Sequence, residues 1–332
     1  SIVGAGTACA DHTTTIASVN TASNYVVLNV ATVTTVGAGA VVYHDDTAAL
    51  TSFFNDSASI LGYLDIGKYL TTSTIEATVD GRKFHGTSGT SYPYSAIQQR
   101  KINTDVLSIQ AERMAIKGMR IGVHSSITGA SQTSGAALVV GITSGTQLYG
   151  LNLEDINLHG MWEGFVFHRI NSIKARHIMV GSFYRNGIRS SSHYGGHQFA
   201  DISVSSAATY SGGAWNLPAN CNAGIYLEDA DINSWIGIYT WMCKYGIHNA
   251  GGMLQAFSQL CLDGDFVNGY PIYHSYNNIA GLGSSYNGGT INTNRALSAG
   301  YINGNQNIVT GFVTVNASFT DVGTGNLITN NT

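Results

Sequence analysis

Apolar and polar residues alternate along most of this chain in short stretches that Gly, Asn and Ser interrupt, and that period of two predicts strands. Two series of such stretches recur. The first is GFVFHR (164–169), GIRSSS (187–192), GIYLED (224–229), GIHNAG (246–251) and PIYHSY (271–276), whose starts lie 23, 37, 22 and 25 residues apart. The second runs ahead of it: INL (156–158), IMV (178–180), ISV (202–204), IGI (236–238) and LCL (260–262), at intervals of 22, 24, 34 and 24. Both series lengthen in the same place, so SAATYSGGAWNLPANCNA (206–223) reads as an insertion of roughly fourteen residues within one repeat.

A unit of 22 to 25 residues with three short strands and no helical pattern inside it predicts an all-β fold, the right-handed parallel β-helix. One coil cannot bury its own apolar face, but coils piled at a spacing of about 4.8 Å build a continuous core. Leucine-rich repeats share the period but need a framework of Leu and Asn that is absent here. VLSIQAERMAIKGMRIG (106–122) fits as an earlier coil, with Met119 and Ile121 in the places of Ile156 and Leu158. The 37 residues from Met119 to Ile156 exceed one coil, and the polar HSSITGASQTSG (124–135) supplies the excess as a second loop. Loops thrown out of a rigid solenoid tend to carry binding residues, so both insertions are candidate groove walls, with Trp215 a candidate substrate-binding residue.

HDDTAALTSFFNDSA (44–58) carries the strong helical signal of the chain, with Asp45 or Asp46 as N-cap and Ala49, Leu50, Phe53 and Phe54 on one face. A helix ahead of a solenoid predicts a cap over the apolar end and open strand edge of the first coil. The expected organisation is a β lead-in at 1–44, a capping helix at 45–60, the β-helix at 61–290, and C-terminal coils or strands at 291–332 that contact partner chains.

Composition narrows the function classes. With 44% hydrophobic residues, 40 Gly and 3 Pro, the 332 residues suffice for a sizeable core with many tight turns in one elongated domain. A net charge of −4 argues against a nucleic-acid binder, because neutralising phosphates needs a basic field. Ten of the fifteen basic residues fall in two stretches, 100–120 and 169–189, which read as solvated faces or as a local patch for an anionic ligand. The four cysteines, Cys9, Cys221, Cys243 and Cys261, form no C-x-x-C pair and read as buried reduced thiols. No apolar run approaches the 18 or so residues of a membrane span, and the start lacks a signal-peptide pattern, so a soluble chain is expected, and the abrupt start at Ser1 suggests a fragment of something longer. No metal or other cofactor is expected. His193 and His197 are four apart, but Gly195 and Gly196 between them argue against the helix that would aim both at one ion.

The DDTAAL of the helix, the following LGYLDIGKYLTTSTI (61–75) and the lead-in GAGTACADHTTTIASV (4–19) resemble the pectate-lyase superfamily, and within it the tailspikes and capsule depolymerases of bacteriophages. Gly67-Lys68 stands where those proteins usually have a Pro-containing turn, and no catalytic residue carries over by motif. The resemblance implies a homotrimer of β-helices joined to a phage tail or baseplate through an N-terminal part absent from this chain. It also implies that such a virion spike, made in the host cytoplasm, binds and cleaves a bacterial surface polysaccharide: capsule, exopolysaccharide or O-antigen.

Aligning the five Gly-start segments places Val166, Arg189, Tyr226, His248 and Tyr273 in one outward column, with His168 and Glu228 two positions further on. Aromatic faces suit the apolar sides of sugar rings, while Arg and His suit carboxylates or hydroxyls, so Arg189, Tyr226, His248, Tyr273 and His168 are candidate substrate-binding residues. The same types also decorate ordinary β-surfaces. Glycoside hydrolysis needs one protonated and one ionised carboxyl, about 5 to 5.5 Å apart for retention or about 6.5 to 9.5 Å for inversion. One rung, or two positions along a strand, spans such distances, so Glu228 with Asp229 or Asp231 could form the pair, although both aspartates could instead bind turn amides. Glu163 and Asp263 are further candidates. A lyase would use Arg189, His248, Tyr226 and Tyr273 to neutralise a uronic acid and remove its proton, and a spike that binds glycan without turnover is the third reading.

Overall fold

The structure, a computed structural model, describes residues 16–20, 25–28, 44–87, 94–127, 131–144, 147–191, 195–212, 214–264, 269–275, 283–293, 299–303, 305–315 and 318–329. Most of the lead-in, Cys9, His193 and part of the 124–135 loop lie outside them. Among the described residues the chain winds into a right-handed parallel β-helix with one helix at its start. Each coil contributes one strand to a sheet of ten parallel strands, from Ile75–Ala77 to Phe319–Asp321, and one to a sheet of thirteen that includes the long strands Leu148–His159 and Ile170–Phe183.

The long strands explain where the third strand of each coil goes. Gly118, Asp155, His177, Asp201, Gly237, Gln259, Gly288 and Gly311 occupy one register position in successive coils, and all have φ between 54° and 73°. A single left-handed residue between two extended legs resets the side-chain alternation, so Ala175 and Ile178 both face inward although they are three residues apart. Each long strand is therefore two legs meeting at a corner. This corner also corrects the alignment of IGI: Ile238, not Ile236, pairs with Ile202, because Gly237 is the corner residue and leaves Ile236 outside and 43% exposed.

The leading glycines of the first series have a different cause. A Cβ on Gly164 would stand 2.1 Å from Val180 Cγ1, and one on Gly187 2.1 Å from Val204 Cγ1. The two sheets approach so closely at this position that only hydrogen fits. The core between them is aliphatic, with a run of stacked rings down the middle: Phe199 on Trp235 at 3.9 Å, Trp235 on Phe257 at 5.5 Å, and Phe257 on Tyr286 at 5.2 Å.

The helix spans Thr47–Asn55, and Leu50 and Phe54 enter the core, where Phe54 meets Phe84 at 4.5 Å. Ala49, expected on the buried face, is exposed, since nine residues present only a narrow stripe inward. Asp46 holds the N-cap position, but its carboxylate takes the Leu70 N–H at 2.9 Å; Asp45 accepts the Thr47 N–H at 3.0 Å. The two aspartates thus tie the helix to the first coil. Cys221 and Cys243 are buried as expected, whereas Cys261 points outward from its strand and is exposed.

Candidate functional site

The outward column of the ten-stranded sheet is continuous. Val139, Val166, Arg189, Tyr226, His248, Tyr273 and Tyr301 pair in register from coil to coil. Strand spacing holds their rings close: Tyr226 and His248 at 5.0 Å, His248 and Tyr273 at 4.7 Å, Tyr273 and Tyr301 at 5.4 Å. Tyr245 and Tyr270 add a second row, stacked on Tyr273 at 4.8 and 5.4 Å. Sequence reasoning passed over this row, although each tyrosine directly precedes its Gly or Pro segment, in the position that Glu163 holds two coils before Tyr245's predecessor, Ala223.

Carboxylates gather at the other end of the column. Arg189 donates from Nε to Glu163 at 2.9 Å and from Nη1 to Glu228 at 3.1 Å. Asn186 Nδ2 also donates to Glu163 at 2.9 Å, and Arg185 Nη1 stands 4.0 Å away. Glu163 is almost fully buried, while Glu228 is 48% exposed and caps the arginine from the solvent side. A third acid, which the sequence did not single out, completes the group. Asp105 lies one strand before Ala136, accepts the Ala136 N–H at 2.7 Å, and shares a groove of about 550 Å³ with Glu163, His168, Arg185 and Arg189. Burial pushes the Asp105 carboxyl above its usual range; the Ala136 bond opposes this and the negative field of Glu163 adds to it. The groove is walled by Thr133–Gly135 from the predicted loop and by Gly141–Ser144.

His168 and His248 are held neutral. Burial, with Arg189 nearby, lowers His168 to about 4, against a smaller opposing pull from Glu228. Burial, with Lys244 and His274 nearby, lowers His248 to about 4. His168 Nδ1 bonds to Ser191 Oγ, and His248 Nε2 to Ser275 Oγ at 3.0 Å. Uncharged imidazoles set among hydroxyls and rings are suited to hydrogen-bonding sugar hydroxyls.

The other candidates lie apart from this group. Asp229 and Asp231 follow the strand into a turn, where Asp231 bridges to Met253 and accepts its N–H at 3.3 Å, a backbone-binding arrangement. Asp263 belongs to the thirteen-stranded sheet, paired with Trp241 and Asn292. Trp215 sits on a hairpin of Thr209–Ser211 and Ala214–Asn216 within the insertion, edge-on to Trp241 at 4.7 Å. A second depression of about 550 Å³ lies on the other sheet, but its Glu154 and Arg176 are already paired with each other. Glu154, Asp155 and His177 bring possible metal-ligand atoms within 4.8 Å there, and Lys117 and Arg176 supply the positive charge.

The fold is the parallel β-helix that phage tailspikes use. The enzymatically active domain of tailspike protein 2 of bacteriophage CBA120 is similar to this chain with a TM-score of 0.63 at 14% identity, over 84% of this chain and 44% of that one. The Dettilon tailspike protein gp208 is similar with a TM-score of 0.59 at 14% identity, over 87% of this chain and 64% of its own. The DFA-IIIase of Arthrobacter chlorophenolicus A6, solved in complex with GF2, is similar with a TM-score of 0.57 at 12% identity, over 86% and 82%. This chain therefore spans about half the length of the tailspikes it matches. No family model and no curated protein match it.

Proposed function

We propose that this chain is the glycan-cleaving part of a phage tailspike, a hydrolase that binds a bacterial surface polysaccharide and cuts it with paired carboxylates. The observation that carries this reading is the single wall on which Arg189 bridges two glutamates at the foot of a ladder of aromatic rings. Tyrosine faces stack on sugar rings and neutral histidines hydrogen-bond their hydroxyls, while the acids below supply proton transfer. The likeness in fold to tailspike enzymes and to DFA-IIIase supports the substrate class. In the same reading the spike is a homotrimer held on the virion tail through a segment outside this chain, and capsule, exopolysaccharide or O-antigen is its partner.

Hydrolysis is favoured over elimination by the state of Arg189. Two carboxylates already engage it, so it is poorly free to neutralise the uronic acid that a lyase must activate. The test is to incubate the protein with capsules and O-antigens from a strain panel and to weigh the released oligosaccharides. Products carrying one added water, with no ultraviolet absorbance from unsaturated ends, are the expected result. Unsaturated products would establish a lyase, and intact polymer that nevertheless binds would establish a spike without turnover.

A further inference from the structure

We propose that Asp105 and Glu163 are the general acid and the general base of this site, acting on a sugar seated over Ala136. The assignment builds on the reading of the chain as a glycan hydrolase. It moves the chemistry away from Glu228, Asp229 and Asp231 and into the groove.

Three neighbouring coils present Asp105, Ala136 and Glu163 at one register position at the edge of the ten-stranded sheet. Ala136 pairs with Glu163 on one side, and its N–H bonds to Asp105 Oδ1 at 2.7 Å on the other. Two coil spacings separate the acids, about 9.6 Å between backbones. That backbone spacing allows carboxyl groups about 6.5 to 9.5 Å apart, the separation that leaves room for a water. The residue between them carries only a methyl group, and all three residues line the groove between the 133–135 and 141–144 walls.

The surroundings divide the roles. Asn186 Nδ2 and Arg189 Nε donate two hydrogen bonds to the Glu163 carboxylate, and the guanidinium sets a positive charge beside it, an environment suited to a base. Asp105 has no cation in hydrogen-bond contact among the contacts described and is buried in the field of Glu163, both of which favour the protonated form an acid requires, against the smaller opposing pull of the Ala136 N–H. In the reaction Glu163 takes one proton from a water whose oxygen bonds to the anomeric carbon. The bond from that carbon to the bridging oxygen breaks, its electron pair stays on the oxygen, and Asp105 delivers a proton to it. Water is thereby added across the linkage with inversion at the anomeric carbon, and solvent returns Asp105 and Glu163 to their starting states. Glu228 is a positioning residue that steadies Arg189 from outside.

The experiment uses the full chain and a polysaccharide it digests. Proton NMR during the first turnovers is expected to show the reducing end in the configuration opposite to the parent linkage; retention of configuration overturns the pair. Asp105→Asn and Glu163→Gln are each expected to lower kcat by about a hundredfold to ten-thousandfold with glycan binding kept. Asp105→Asn is further expected to regain rate on an aryl glycoside of the product oligosaccharide whose leaving group needs no proton. If Glu163→Gln does not fold, Glu163→Asp keeps the charge near Arg189 while withdrawing the carboxylate, and the same loss is expected. A kcat within tenfold of the parent in Asp105→Asn overturns the assignment. Products lacking added water from the parent protein would instead overturn the hydrolase reading beneath it.

Discussion

Arg189 is the residue on which the wall depends most, since it satisfies one buried and one exposed carboxylate at once. Arg189→Ala leaves Glu163 buried with Asn186 as its nearest donor, and uncompensated buried charge of this kind costs about 3 to 5 kcal/mol. A marked drop in melting temperature is expected, whereas Arg189→Ala combined with Glu163→Gln should recover part of it. Tyr273 touches His248, Tyr245, Tyr270 and Tyr301, so Tyr273→Ala is expected to weaken glycan binding by about 1 kcal/mol, or roughly fivefold, in calorimetric titration. His168 and His248, together with His159, which burial beside Arg120 also lowers to about 4, shape the acid limb of stability. Each binds its proton more weakly folded than unfolded, so between about pH 6.5 and 4 the unfolded chain holds the extra protons. Melting temperature is expected to be flat above that window and to fall as pH drops through it; His248→Asn should flatten the fall. Column partners such as Arg189 and Tyr226 were readable in the sequence because they follow a glycine at a fixed distance. Asp105 was not, because its segment has no such glycine and an Asp before a strand is more often a turn residue.

At the scale of the element, the glycine that opens the repeats at 164, 187 and 224 is a contact requirement between sheets. Gly187→Ala would force a methyl against Val204 and the Gly224 carbonyl, and overpacking of this order costs about 1 to 3 kcal/mol. Gly212→Ala, in the hairpin with nothing within 4 Å of the added carbon, meets no clash and bears only the strain of its positive φ. A smaller loss of melting temperature is expected there. The glycine series was legible because Gly164, Gly187 and Gly224 each meet a branched side chain of the facing sheet. The corner series was not, since Gly, Asp, His and Gln all fill the left-handed position and leave no common letter. That hidden corner is why IGI was aligned two residues early.

At the scale of the molecule, each coil touches mainly the coils before and after it, so stability is a sum of neighbouring interfaces. The period alone revealed that arrangement, and the helix at its start was legible from its N-terminal aspartates and its Leu50–Phe54 stripe. The far end was less legible, because Gly and Asn there hide the alternation; strands Ile308–Val315 and Leu327–Thr329 complete the sheet with Val313 and Leu327 exposed. These apolar groups suit burial against partner chains, and sedimentation of the purified protein is expected to give three times the mass of one chain. A monomer that still digests polysaccharide would separate the activity from the assembly.

Trp235, pressed between Phe199 and Phe257 at the centre of the ring stack, is a built-in optical probe of the middle of the rod. Its indole is shielded from water, while Trp162, Trp215 and Trp241 are partly exposed, so the most blue-shifted part of the emission would report the central coils. Following that colour during heating against the overall circular dichroism would reveal whether the rod melts from its ends or all at once.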